Sequence, residues 1–349
     1  MAKKILIITE SGDTTADKVS QWLDHFGADF DRINSDHIPL LLEAVVISQN
    51  NDTQLLFSYK GKRLNLMEIY NLIWFRRGSI FVKDFGNSEI KNAAFPDDEL
   101  LNNSFSNYKQ SEANTLIDFV YEQIEKKVRT INIPTGYEVN KLSTLAEAKN
   151  VGFLIPETII TSNKDVIKQK LEVDQYITKA IKDSFFCLTN NVFLTQGTEE
   201  ATIEDLLKDE SHFFFPSLFQ KKIDRKCEIR VFFILGKTFA AAISFYDEMN
   251  QPVDIRSGIN DYGEDRMVTS IKLPVDVEHK LLRLAKNLKL ESGSADFMIT
   301  NDYEFVFLEI NPVGQLDFLS VLSNQFIERE IAKILIENAK EEIKYPEPS

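Results

Sequence analysis

Apolar positions along the chain follow two periods. Residues 5–8, Ile-Leu-Ile-Ile, form a continuous apolar run between Lys4 and Thr9, which reads as a strand buried on both faces. Val19, Trp22, Leu23 and Phe26 then recur at helical spacing, and Gly27 supplies the stop. Residues 54–59 and 62–66 read as a hairpin about Gly61, 73–75 as a short strand before Arg76 and Arg77, and Leu116, Phe119, Val120 and Ile124 as one face of a helix. A boundary is expected near 130–137. Beyond it, helices are expected over 141–149 and 163–171, with a strand over 175–181. The stretch 184–200 alternates polar and aromatic residues and reads as a hairpin or loop. From 217 onward the pattern is strand-rich: 219–223, 228–235 and 238–245, the last two turning at Gly236-Lys237. Residues 247–266 carry Gly258, Gly263 and many charges and read as a long loop, a length often tied to function. A helix over 277–288, a hairpin of 295–300 with 304–310, and a closing helix over 326–343 complete an α/β (α+β) chain without internal repeats.

Composition narrows this picture. A chain of 349 residues is long enough for two or three packed subdomains. Phe is frequent, with 26 residues, which reads as a Phe-rich core. The formal net charge of −14 argues against non-specific nucleic-acid binding, which needs a basic face. It does not argue against a nucleotide, since a phosphate site needs only a few local cations. Cys187 and Cys227 show no CxxC or Cys/His grouping, so a structural zinc site is not expected and a reduced, cytoplasmic setting is. The apolar run at 5–8 is too short for a signal peptide, and no segment approaches the length of a membrane span.

The chemistry-bearing pattern lies near the C-terminus. Asp296 precedes a turn at Asn301-Asp302, and Glu309 and Asn311 follow it, two apart on an expected strand and so on one face. Folding the hairpin about that turn sets residue 296 opposite 307. Asp296, Phe307, Glu309 and Asn311 are then expected on one face, with Asp296 and Glu309 as diagonal neighbours. Two carboxylates and an amide oxygen are a donor set that suits Mg²⁺. The competing reading of Glu309, a solvated edge-strand residue, sits badly with Phe307, Leu308 and Ile310 around it. A second pattern is Glu228-Ile-Arg230, again sharing a strand face. Arg230 could hold phosphate or carboxylate oxygens, or form a cross-strand ion pair. Arg256 stands in the long loop. Lys141 opens a helix, and Lys179 lies in an apolar strand, where phosphate or an edge position would account for it. GxxxxGK(S/T), GxGxxG and GxSxG are absent, and the four histidines are scattered.

The order Lys141, Lys179, Gln220-Lys221-Lys222-Ile223, Glu228-Ile-Arg230, Asp296 and Glu309-Ile-Asn311-Pro resembles the ATP-grasp superfamily over about residues 130–340. Trp74-Phe-Arg-Arg77, Asn150-Val-Gly-Phe-Leu-Ile-Pro156, Val253-Asp-Ile-Arg256, Leu290-Glu-Ser-Gly-Ser294 and Phe307-Leu-Glu-Ile-Asn-Pro-Val-Gly-Gln315 are similar to the microviridin (graspetide) branch, and to its grasp-with-spasm peptide maturases most of all. The resemblance implies an ATP-grasp fold behind an N-terminal pre-ATP-grasp domain. Residues 1–128 would be that domain, 129–216 a central subdomain that docks a leader peptide, and 217–349 the subdomain of the Mg-ATP site.

It also implies roles. Lys141 and Lys179 would contact ATP phosphates, the backbone around Gln220, Lys221, Lys222 and Ile223 would meet adenine, and Glu228 the ribose. Asp296, Glu309 and Asn311 would hold Mg²⁺. Arg230 and Arg256 would be catalytic, beside the γ-phosphate and the acceptor carboxylate. The activity implied is ATP-dependent ligation: an Asp or Glu side chain of a ribosomal precursor peptide, leader plus core, is phosphorylated and then captured by a hydroxyl or amine to close a macrocycle. The aromatic stretch 185–215 is the candidate leader-docking surface. A homodimer is compatible with this reading. Two alternatives stand: an ATP-grasp ligase joining small amino acids or adding glutamate, and a nucleotide-binding protein without chemistry.

Overall fold

The computed structural model describes residues 4–49, 51–82, 99–134, 139–182, 186–189, 192–195, 197–208, 211–245, 266–314 and 316–340. They divide into two compact units, 1–137 with 326–349, and 138–325.

In the first unit, β1 (Ile5–Thr9) is completely buried and parallel to its neighbours on both sides, which explains its unbroken apolar sequence. It leads into α1 (Thr14–His25), where the Asp13 carboxylate accepts from the Ala16 amide and from the Thr9 hydroxyl, satisfying a donor that the helix start would otherwise leave open. β2 (Phe30–Asn34) pairs with β1. β3 (Leu40–Ser48), β4 (Asn51–Tyr59) and β5 (Lys62–Leu64) form an antiparallel meander, turning at Lys60-Gly61 with φ of 51° and 71°. The short α2 (Leu66–Ile69) precedes β6 (Leu72–Phe75), and β7 (Ile80–Val82) runs parallel to β3. α3 (Glu99–Lys127) leads into β8 (Arg129–Ile131), so one sheet has the order β2-β1-β6-β8 and another β5-β4-β3-β7. The core joins Leu6, Ile8, Phe57, Phe75, Tyr121 and Ile124.

In the second unit, α4 (Lys141–Asn150) is capped by Asn140, whose side chain accepts from the Leu142 and Ser143 amides. β9 (Thr158–Asn163), α5 (Lys164–Leu171) and β10 (Tyr176–Lys179) follow. β11 (Phe186–Thr189) and β12 (Val192–Thr195) pair as a hairpin inside the stretch read as hairpin or loop. β13 (Glu199–Ala201), α6 (Ile203–Leu207) and β14 (Phe213–Lys221) complete a sheet of order β13-β10-β14-β9. The chain then builds a five-stranded antiparallel sheet, β17-β16-β15-β18-β19, from β15 (Arg225–Ile234), β16 (Lys237–Phe245), β17 (Arg266–Ile271), β18 (Ser292–Thr300) and β19 (Phe305–Asn311). α7 (Val275–Asn287) lays Val277, Leu281 and Leu284 into that sheet's core. The Phe-rich core expected from composition is here: Phe153, Phe297, Phe305 and Phe307 pack in stacked, tilted and edge-on pairs. α8 (Asp317–Leu322) closes the unit. The last helix, α9 (Ile327–Lys340), belongs to the first unit and packs on α1, with Lys18 3.5 Å from the buried Glu328.

Candidate functional site

Two bulges in the five-stranded sheet decide which residues meet. In β18–β19, Phe297 faces Phe307 but Asp296 faces Glu309, so Leu308 is an extra residue. Phe305, Phe307 and Ile310 therefore point into the core, while Leu308 and Glu309 both turn to the other face. This corrects the hairpin geometry expected from the sequence. Asp296 is directly opposite Glu309 rather than Phe307, and Phe307 belongs to the opposite face. One cause is this bulge. The other is a longer turn, in which the Thr300 amide donates to the Glu304 carbonyl and Tyr303 has φ of 63°. In β15 the register shifts between Arg225 and Cys227, which brings Arg225 onto the face that carries Glu228 and Arg230.

That face holds the polar groups. Arg225 Nε lies 3.1 Å from Glu228 Oε1, with both side chains about nine-tenths buried. Arg230 donates from Nε and Nη2 to the two oxygens of Asp296, at 2.7 and 2.8 Å, a bidentate clamp across the β15–β18 ladder. The side chains are 13% and 20% exposed, so this cross-strand pair is largely withdrawn from solvent. Glu309 stands opposite Asp296 on β19, and Asn311 opposite Ser294.

Beside these groups is a pocket lined by Gln220, Lys221, Lys222, Ile223 and Arg225, with Met298 and Leu308 from β18 and β19. Gln220 is 1% exposed and donates from Nε2 to Thr158 Oγ1. β14 ends at Lys221, and the Lys222 amide makes one further bond to the Gln175 carbonyl, at 2.8 Å, before the chain runs on through the pocket residue Ile223. The ammonium groups of Lys221 and Lys222 are ion-paired with Asp174 and Glu200. The Asp174 hydrogen bond holds the Lys221 ammonium above its ordinary pKa. At the rim, hydrogen bonding to Lys170 holds the Glu157 carboxyl below the usual range.

The structure thus joins Gln220, Lys221, Lys222, Ile223, Glu228, Arg230, Asp296, Glu309 and Asn311 around one pocket and its flanking sheet face. Lys179 ends β10, on the same strand face as the pocket residue Ile177. Lys141 opens α4, which packs on β19, and it is not among the pocket-lining residues. Arg256 lies outside the described residues. Arg225, Met298 and Leu308 were missed in the sequence. Arg225 is three residues before Glu228, an odd spacing that a regular strand would send to the other face. Among the described residues no cluster of three or more His, Cys, Asp and Glu side chains forms a metal site. The oxygen donors are two facing carboxylates and one amide, hard ligands of the kind Mg²⁺ takes together with phosphate oxygens and water, so the set fits that ion.

Residues 4–92 match the family described as the MvdD pre-ATP grasp domain. A search of curated protein sequences finds no match. Among solved structures, the chain is similar to a RiPP-associated ATP-grasp ligase of Chryseobacterium gregarium in complex with ADP and a leader and core peptide: TM-score 0.73, 24% identity, 96% of this chain and 97% of that one covered. It is also similar to the macrocyclase MdnC of Microcystis aeruginosa bound with precursor peptide MdnA, with TM-score 0.70 and 23% identity over 95% of this chain and 99% of that one. The macrocyclase MdnB of the same organism follows, with TM-score 0.68 and 23% identity over the same shares. The chain therefore has the ATP-grasp fold of these ligases, with an N-terminal segment of the MvdD pre-ATP-grasp type.

Proposed function

We propose that the protein is an ATP-dependent peptide ligase that closes side-chain macrocycles in a ribosomal precursor peptide. The observation that carries this reading is the single sheet face on which Arg230, Asp296, Glu309 and Asn311 stand beside a pocket lined by Lys221, Lys222 and Ile223 together with Met298 and Leu308. An apolar pocket next to an oxygen-donor set and a guanidinium suits a nucleotide, with its base in the pocket and its phosphates over the charges.

In this reading the pocket takes adenine, Glu228 takes the ribose, and Lys141 and Lys179 take phosphate oxygens. Asp296, Glu309 and Asn311 would hold Mg²⁺, which when bound screens phosphate charge. The Arg230 guanidinium, oriented by both Asp296 oxygens, is proposed to meet the γ-phosphate. An Asp or Glu carboxylate of the peptide attacks the γ-phosphorus, the bond to the β-phosphate oxygen breaks, and ADP leaves. A Ser/Thr hydroxyl or Lys amine then attacks the acyl carbon, loses its proton, and phosphate departs. Arg256 is proposed for the acceptor carboxylate.

The leader peptide is proposed to dock on the 185–215 stretch. Within it Phe213 and Phe215 are 64% and 85% exposed, while Phe214 between them turns inward, edge-on to Phe219. The Chryseobacterium and Microcystis ligases were seen with leader or precursor peptides, which supports a peptide as the partner here. No helix among the described residues is long and apolar enough to cross a membrane.

Hydroxylamine trapping tests the activation step. With ATP, Mg²⁺ and a precursor peptide whose Ser, Thr and Lys acceptors are replaced by Ala, so that the acyl phosphate has no internal nucleophile, the reading predicts a peptide hydroxamate on Asp or Glu and matching ADP release. ADP release from that peptide without a hydroxamate would refute it.

A further inference from the structure

Asn311 is held by a loop that two positions without room for a Cβ keep flat against β18. The Val313 amide donates to Asn311 Oδ1 at 3.0 Å, and the Gly314 amide donates to the Asn311 carbonyl at 3.2 Å. The first bond fixes the orientation of the Asn311 amide oxygen, the face's third oxygen donor, and the second closes the turn that carries Val313. That turn ends at Gly314, which comes back against Ser294, the residue opposite Asn311. A Cβ at Gly314 would fall 2.2 Å from Ser294 Oγ and 2.3 Å from its Cβ. Gly314 is not among the glycines with positive φ, so its requirement is for space and not for a left-handed backbone. On the other side of Ser294, a Cβ at Gly293 would fall 2.9 Å from the Asn311 carbonyl oxygen and 3.0 Å from the Phe233 ring. Ser294 itself is 5% exposed, and its hydroxyl has no hydrogen-bond partner. Its visible role is to be the small surface on which Gly314 lies.

We infer that the Ser294–Gly314 contact is a positioning device for the metal-binding oxygen of Asn311, acting through the Val313 amide. The inference rests on the reading of Asp296, Glu309 and Asn311 as the Mg²⁺ set. A methyl group at position 314 lifts the loop from β18, withdraws the Val313 amide, and frees the Asn311 side chain to rotate. Neither residue would touch nucleotide or metal. Their effect is on how well the third donor is pre-oriented, and loss of such support typically weakens metal binding by about 10–100-fold.

The test is calorimetric titration of ADP into the full-length protein at increasing Mg²⁺, for wild type, Gly314→Ala, Ser294→Gly and the double variant. The expected result has three parts. Gly314→Ala raises the Mg²⁺ concentration that gives half-maximal strengthening of ADP binding by about 10–100-fold. It leaves metal-free ADP affinity unchanged, which general unfolding of the pocket would not. Adding Ser294→Gly, which removes both clashing atoms, returns the Mg²⁺ requirement to near the wild-type value. Should Gly314→Ala not fold, Ser294→Val crowds the same contact from the opposing strand and is expected to give the same Mg²⁺ defect. A wild-type protein whose ADP binding ignores Mg²⁺ would overturn the metal reading itself. A normal wild-type response kept in Gly314→Ala, or lost and not rescued in the double variant, would overturn this inference and leave the metal reading standing.

Discussion

Arg230 and Asp296 show how one side chain can serve two demands. The carboxylate takes two donors of the Arg230 guanidinium, and it also stands opposite Glu309 as one of a pair of facing carboxylates. Each carboxylate oxygen has a further lone pair, so the clamp and a metal are compatible. Asp296→Asn is therefore expected to act twice. It leaves a largely buried guanidinium without its counter-charge, destabilising the fold by about 1–3 kcal/mol in denaturant titrations. It also lowers ligase turnover by about 100-fold or more, read as ADP release per peptide. A second prediction concerns the pocket rim. The Glu157 pKa is lowered by Lys170, so the pair's contribution to stability is fully present above the unfolded carboxyl value of about 4.3. It disappears as pH falls through the depressed native value. Thermal unfolding from pH 7 to 3 should show wild type and Glu157→Gln differing at the upper end and converging at the lower. An equal gap at every pH would contradict this.

At the scale of elements, the strands of the site were legible and their register was not. Glu309 and Asn311 on one face follow from the two-residue period alone. The partner of Asp296 does not, because hairpin register depends on turn length and bulges. Tyr303 in a left-handed conformation and the extra residue Leu308 leave no mark in an alternation of apolar and polar residues. β9 and β14 were hidden or shortened for a different reason: Ile160, Phe213 and Phe215 are exposed, so those strands lack a clean inward face. The β19 bulge has a measurable consequence. Deleting Leu308 leaves Glu309 opposite Asp296 in a regular ladder but takes away the Leu308 side of the pocket's apolar lining, leaving Met298. Circular dichroism should be nearly unchanged while nucleotide affinity falls about tenfold or more, the loss expected for one buried aliphatic side chain. Unchanged affinity would mean that this pocket is not the nucleotide site.

At the scale of the whole molecule, the closing helix expected over 326–343 is described over Ile327–Lys340, and Ile327, Ile331, Ile334 and Leu335 on it are buried. What covers that face was not legible. A period states that a face is buried, not against what, and the answer here is α1, three hundred residues earlier in the chain. The formal charge of −14 argues against non-specific nucleic-acid binding without pointing to the site, whose cations are local. Hydrogen exchange should place the nucleotide within the unit spanning Glu138–Gln325. Adding Mg²⁺ and ADP is expected to protect 218–223, 296–300 and 305–311, with the amides of β1 and β6 unaffected. Protection confined to β1 and β6 would move the site to the other unit.

The most direct measurement is mass spectrometry of a ribosomal precursor peptide, leader plus an acid-bearing core, after incubation with the protein, ATP and Mg²⁺. The account predicts a loss of about 18 Da for each cross-link, since activation through an acyl phosphate and capture by a side chain removes one water in total. It also predicts no loss without ATP. A peptide of unchanged mass, with ATP consumed only when free amino acids are supplied, would contradict it and favour a small-molecule ligase.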